Sequence, residues 1–216
     1  MVDKTRQLAI DPACESAVAA LEDDPFCRSI CVGYRETSRR RAALAEYFNY
    51  SIQEGSTIGR CVHLADPRLG VAVWLLPQSE EVKVRSRTNK RAFLESALTA
   101  EGCRNYYQVV EFMSAKSKSL VDHCSWYLSI IAVDPAVQGR GLGRKLLEST
   151  IAEADRCSAT CYLETFTPRS ISFYNRLGFE IRGRFAEPTT AAEYVLMERE
   201  PVARVRVVAE GTGRDC

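Results

Sequence analysis

The chain has 216 residues with 29 Lys+Arg against 28 Asp+Glu, a net charge of +1. That length admits about one or two domains, and the balanced charge excludes a protein that gathers nucleic acid through a basic excess. Hydrophobic residues at 46% and charged ones at 26% exclude a largely disordered chain and permit a real core.

No apolar run approaches the ~20 residues of a spanning helix, and Met1-Val2-Asp3-Lys4 leads into no apolar leader segment, so a cytoplasmic chain without a membrane partner is expected. A short strand over 7–10 ends at Asp11-Pro12, a helix covers 13–21, and Pro25 opens another. Helical periodicity over 39–52 is stopped by Gly55; its Arg39-Arg40-Arg41 triplet reads as a solvated face. Apolar runs at 60–65 and 70–76 flank Asp66-Pro67-Arg68 as a hairpin. Two helices follow over 79–121, broken near Gly102 and walling a pocket.

The β-forming run 126–133 is a central strand stopped by Asp134-Pro135. A helix starts near Gly141, with Leu142, Leu146, Leu147, Ile151 and Ala154 on one face. A strand over 161–166, a helix over 169–177 stopped by Gly178, and strands over 179–185 and 193–197 complete the pattern. With no repeat or linker, residues 1–200 are expected as one domain and 201–216 as a C-terminal tail. The nine cysteines form no Cys-x-x-Cys pair and read as reduced, buried small hydrophobes. With only His63 and His123 available, no metal site is expected.

One segment carries sharp chemistry. Between the central strand and its helix lie Gln138, Gly139, Arg140, Gly141, Leu142, Gly143, Arg144 and Lys145. Glycines at alternate positions let the backbone approach a ligand, and the following helix aims unpaired N–H groups and the positive end of its dipole at it. Such a loop suits a pyrophosphate. A nucleoside triphosphate loop is excluded by the missing Gly-Lys-Ser/Thr ending, and a dinucleotide fingerprint by the glycine spacing.

The order Gln138-x-x-Gly141-x-Gly143 between that strand and a Leu-rich helix resembles the acyl-coenzyme A loop of the GNAT superfamily of N-acetyltransferases. Leu163-Glu164-Thr165, Pro168-Arg169 and Phe173-Tyr174-Asn175-Arg176-Leu177-Gly178-Phe179 are similar to the segments that follow it there. Together with Ala72-Val73-Trp74 and Pro77, they most resemble the puromycin N-acetyltransferase-like branch. Many members place an Asn and an Ala ahead of the tyrosine, where this chain has Thr167 and Ser170.

The resemblance implies an α/β fold: a mixed, mostly antiparallel sheet, helices on both faces, and a central strand pair, 127–133 and 161–166, that splays apart. It further implies acetyl-CoA as cosubstrate. The pantetheine arm would pair with the backbone of Ile131, Ala132 and Val133, and the pyrophosphate would rest on the amides of 139–144 with charge from Arg140, Arg144 or Lys145. Glu164 becomes the candidate general base and Tyr174 the candidate general acid. The expected reaction is direct acetyl transfer to the primary amine of a small molecule such as an antibiotic, toxin or metabolite. A protein Nα- or lysine acetyltransferase and a non-catalytic acyl-CoA sensor are the alternatives. Tyr34, Tyr47, Tyr50, Trp74, Tyr106, Tyr107 and Phe112 offer aromatic surface for an acceptor pocket, and His123 is a lesser candidate base.

Overall fold

A computed structural model describes residues 10–202; the strand expected over 7–10, save Ile10, which is exposed and irregular, and nearly all of the expected tail lie outside the described residues. Helices α1 (Cys14–Leu21), α2 (Pro25–Ile30) and α3 (Thr37–Ile58) precede a hairpin of β1 (Gly59–His63) and β2 (Gly70–Leu75). The turn between them is a 3-10 turn, Pro67–Leu69, capped by the Asp66 carboxylate on the Arg68 N–H. Helices α4 (Glu80–Ala97) and α5 (Ala100–Leu120) come next, then β3 (Trp126–Val133), α6 (Leu142–Arg156), β4 (Cys161–Thr165), α7 (Ile171–Asn175), β5 (Glu180–Glu187) and β6 (Ala192–Arg199).

Two helix boundaries differ from the sequence expectation, each for a local reason. Helix α3 runs straight through Gly55. A β-carbon there would lie 2.3 Å from Val73 Cγ1, so this glycine lets the helix approach β2 rather than ending it. The break between α4 and α5 falls at Thr99, whose hydroxyl accepts from the Gly102 N–H as an N-cap, so Gly102 sits inside the first turn. The expected solvated face holds for Arg39, which is exposed and paired to Glu36, but Arg41 is half-buried against Glu22 and Arg40 is half-buried with its Nε shut off from water, because the triplet winds around α3 rather than lying on one face.

The six strands form one sheet in the order β1-β2-β3-β4-β6-β5, antiparallel throughout except for β3 and β4. That parallel pair is hydrogen-bonded only over Trp126 to Leu128 against Cys161 to Leu163 and then diverges, which is the splay the resemblance implies. Helices cover both faces. Val71, Val73, Ile130 and Ala132 pack under α1 to α5. Ala72, Trp74, Trp126 and Leu128 pack against Leu146, Leu147, Ile151 and Ala154 of α6.

Strand β3 alternates buried and half-buried without interruption, yet its faces exchange midway. Val73 opposes Ile130 while Trp74 opposes Leu128, so Ser129 is an extra residue, a β-bulge. Before it, Trp126 and Leu128 face α6; after it, Ile130 and Ala132 face the opposite layer.

Candidate functional site

A cavity of about 940 Å³ passes through the splay between β3 and β4 and is lined from both faces of the sheet. The bulge at Ser129 aims Ile131 and Val133 into the arm on the α6 side, where they join Gln138, Gly139, Gly141, Leu142, Gly143, Arg144, Phe173 and Tyr174. On the other face Tyr127, Tyr162 and Glu164 meet the inner surfaces of α2 to α5.

The glycine loop is shaped as its sequence requires. Gly139 and Gly141 have φ of 78° and 76°, and a β-carbon on either would meet nothing within 4 Å, so that side of the loop is open. Gly141 caps α6 without any side-chain hydrogen bond, which leaves the first-turn amides free for an anion. Gly143 has a further reason for being glycine: its β-carbon would press to 3.2 Å from Phe173 Cζ, so it sets how closely α6 meets α7. Arg144 donates to Glu148 at 2.9 Å while lining the cavity. Arg140 and Lys145 are exposed and stand off the cavity wall, and Ala132 is buried in the opposite layer, so only its backbone bears on the cleft. Beyond Leu128 the side of β3 facing β4 has no strand partner among the described residues, which leaves backbone groups for an added strand to pair with. The Gln138 amide donates to Val133 O at 3.0 Å and ties the loop to the strand end.

Glu164 stands near the end of β4 with Oε1 buried and without a hydrogen-bond partner. Burial lifts its carboxyl from 4.5 to about 7, and the Tyr127 phenol beside it pulls the other way. A carboxyl poised there can exchange a proton near neutral pH. Tyr174 is buried on α7 between the rings of Phe173 and Phe179, at centroid distances of 5.1 and 6.0 Å. Burial first, and the carboxylate of Asp24 second, hold its phenol above the ordinary tyrosine range, so it keeps its proton at neutral pH. Thr167 and Ser170 both line the cavity where the Asn and Ala of the resemblance would stand.

Several cavity residues carry no signal in the sequence. Asp24 caps α2 through its own carboxylate. Glu54 of α3 pairs with Lys90 of α4 and accepts from Ser86 Oγ at 2.6 Å. Tyr127 and Tyr162 stack at 4.7 Å. Of the aromatics singled out in the sequence, Tyr47 and Tyr106 line the cavity, whereas Trp74 is core and Tyr107 is exposed. His123 is on the surface and off the cavity wall, which removes it as a base. Cys27 and Cys31 are buried, where desolvation raises both thiols, whereas Cys124 and Cys157, against expectation, are exposed. Among the described residues no helix is long and apolar enough to cross a membrane.

The sheet order, the splayed parallel pair and the glycine loop at its mouth define the GNAT fold. The model of the acetyltransferase (GNAT) domain matches residues 100–181. An uncharacterized N-acetyltransferase of Schizosaccharomyces pombe is 26% identical over 175 residues, covering 77% of this chain and 69% of that protein. Among solved structures, a histone acetyltransferase HPA2 and related acetyltransferase from Corynebacterium glutamicum superposes with a TM-score of 0.58 at 24% identity, over 89% of this chain and 91% of that one. The polyamine N-acetyltransferase of Drosophila melanogaster, which forms N-acetylagmatine, gives 0.57 at 14% identity over 88% and 97%. This chain has the GNAT fold, and over residues 100–181 it is similar to the acetyltransferase (GNAT) domain.

Proposed function

We propose that this enzyme transfers an acetyl group from acetyl-CoA to the primary amine of a small molecule, directly within a ternary complex. The observation that carries the reading is one cavity shared by the uncapped glycine loop, a carboxyl poised at about 7 and a protonated tyrosine. Bound acetyl-CoA would supply the thioester, with its pyrophosphate on the free amides of residues 142–144 and its pantetheine along the unpaired side of β3, from Ile131 to Val133.

Glu164 takes a proton from the acceptor ammonium, directly or through a water, so that the neutral amine can attack the thioester carbon. A carbon–nitrogen bond forms and the carbon–sulfur bond breaks. A β3 amide near Val133 receives the carbonyl oxygen in between. Tyr174 then gives its proton to the departing thiolate and regains one, directly or through water, from the acetylated nitrogen, which leaves a neutral amide and a free thiol, while the proton on Glu164 passes to solvent. The acceptor enters from the side lined by α4 and α5, and a cavity with this aromatic and apolar lining favours a small amine over a peptide, which needs an exposed backbone edge to pair with. The likeness of Ala72-Val73-Trp74 and the 163–179 segment to the puromycin N-acetyltransferase-like branch supports an aromatic acceptor.

Release of free thiol from acetyl-CoA over a panel of aromatic amines, aminoglycosides, polyamines and N-terminal peptides tests this. Turnover led by small amines is expected. A preference for peptides above about tenfold in kcat/KM, equal to some 1.4 kcal/mol, refutes the acceptor class, and acetyl-CoA binding without thiol release refutes the enzyme reading.

A further inference from the structure

The acceptor arm carries a charge imbalance that restricts what it can hold. Its one lysine, Lys90, is already neutralised by Glu54 and lies 5.3 Å from the Tyr50 ring centroid. Arg87 stands at the exposed rim, 3.8 Å from Glu80. The remaining cations of the cavity, Arg144, Arg169 and Arg176, belong to α6 and the α7 segment on the cofactor side. What is left in the acceptor arm is Asp24 and Glu164, both carboxyls, and among the described residues neither has a cationic partner.

Asp24 is held rigidly. Its Oδ1 accepts from the Phe26 N–H at 2.9 Å, so the first amide of α2 is consumed by the carboxylate itself and the site attracts cations, not anions. Phe26, Tyr47 and Tyr106 stand together on the same cavity wall, with ring centroids 5.9, 5.9 and 6.3 Å apart. Carboxylate and aromatic surface together are the chemistry that receives an ammonium on an apolar body.

Resting on the acetyltransferase reading above, we infer that Asp24 is the residue that receives the acceptor's ammonium, and that the enzyme takes cationic amines while rejecting α-amino acids of the same side chain. An α-carboxylate entering beside the reacting nitrogen meets two carboxyls and no free cation, whereas the decarboxylated amine meets only attraction. Burial keeps the Asp24 carboxyl above its ordinary range, a cost that an incoming ammonium offsets.

The test compares phenethylamine with phenylalanine, tyramine with tyrosine, and putrescine with ornithine by thiol release. In the wild type each amine is expected to exceed its amino acid by about a hundredfold or more in kcat/KM. Asp24→Asn keeps an equally good N-cap and removes the charge. It is expected to raise the amine KM by more than about tenfold with kcat changed less than about threefold, to narrow the amine-to-amino-acid ratio, to leave the acetyl-CoA dissociation constant where it was, and not to lower the Tm, since the burial cost of the carboxylate is removed with its charge. Amino acids used as well as amines overturn the inference without any variant, and so does an unchanged amine KM in Asp24→Asn. No turnover with any amine removes the acetyltransferase reading and this inference with it, whereas turnover with an unchanged KM removes the inference alone.

Discussion

Replacing Glu164 by Gln separates two consequences of one buried carboxyl. In the folded chain this group titrates near 7 instead of 4.5 because burial penalises its charge. Below about pH 4.5 folded and unfolded chains both hold the proton, and the group has no effect on stability. Between 4.5 and 7 the unfolded chain releases a proton that the folded chain keeps, so stability is lost as pH rises. Above 7 both are ionised and the whole penalty stands. At ~1.4 kcal/mol per pH unit, that penalty reaches up to about 3 kcal/mol, or roughly 6–12 °C in Tm for a chain of this size.

Glu164→Gln removes the titration while keeping the shape. The variant is therefore expected to melt near the wild type at pH 4.5 and progressively above it towards pH 8, while turnover falls by about 10²–10⁴. The kcat/KM profile of the wild type, which reports groups of the free enzyme, is expected to break near pH 7, and the variant's profile to lack that break. Differential scanning fluorimetry across pH and thiol-release kinetics read the two effects on the same preparations. A Tm difference that stays constant with pH, or a kinetic break far from the pH at which the Tm difference saturates, refutes the assignment of both effects to this one carboxyl.

Tyr174→Phe keeps the packing against Phe173 and Phe179 and is expected to lower kcat by about 10²-fold or more with acetyl-CoA affinity nearly unchanged, checked by stopped-assay kinetics and by titration of the cosubstrate. Gly141→Val forces a branched residue to φ near 76°, costing about 1–2 kcal/mol, and fills the open side of the loop; it should abolish the stabilisation that saturating acetyl-CoA gives, about 2.7 kcal/mol at 100 times the dissociation constant. Gly55→Ala brings a methyl to 2.3 Å from Val73 Cγ1, and the overpacking is expected to lower stability in urea by about 1–3 kcal/mol.

How far the sequence reaches follows from how local each feature is. The loop and its helix are legible because every requirement lies within one stretch: the strand end, the alternating glycines, and the apolar stripe of Leu146, Leu147, Ile151 and Ala154. Glu164 and Tyr174 are singled out by the resemblance, and both line the cavity. Gly55 misleads because a glycine that ends a helix and one that lets a helix touch a sheet are the same letter, and only the partner strand tells them apart. The bulge at Ser129 is hidden for a different reason. Burial along β3 keeps its two-residue rhythm while the faces exchange, because each face of the sheet meets its own apolar layer.

The acceptor arm shows why the remaining residues left no pattern. Tyr127 beside Glu164 feels Tyr47, Tyr47 packs 6.3 Å from Tyr106, and Tyr106 feels Lys90 and Glu54. This line draws on β3, β4, α3, α4 and α5, so no window of sequence contains more than one or two of its members. Each of these phenols is held above its ordinary range by burial and is therefore neutral at working pH. The charges of the arm consequently reduce to a closed pair, Glu54 with Lys90, a rim cation, Arg87, set against Glu80, and two carboxyls, Asp24 and Glu164. A whole-chain net charge of +1 averages this local excess of negative charge away. On the inferred reading, the feature that would select a cationic acceptor is the pair of carboxyls lining this cavity, Asp24 at the cap of α2 and Glu164 on β4, which only the folded chain brings to one cavity.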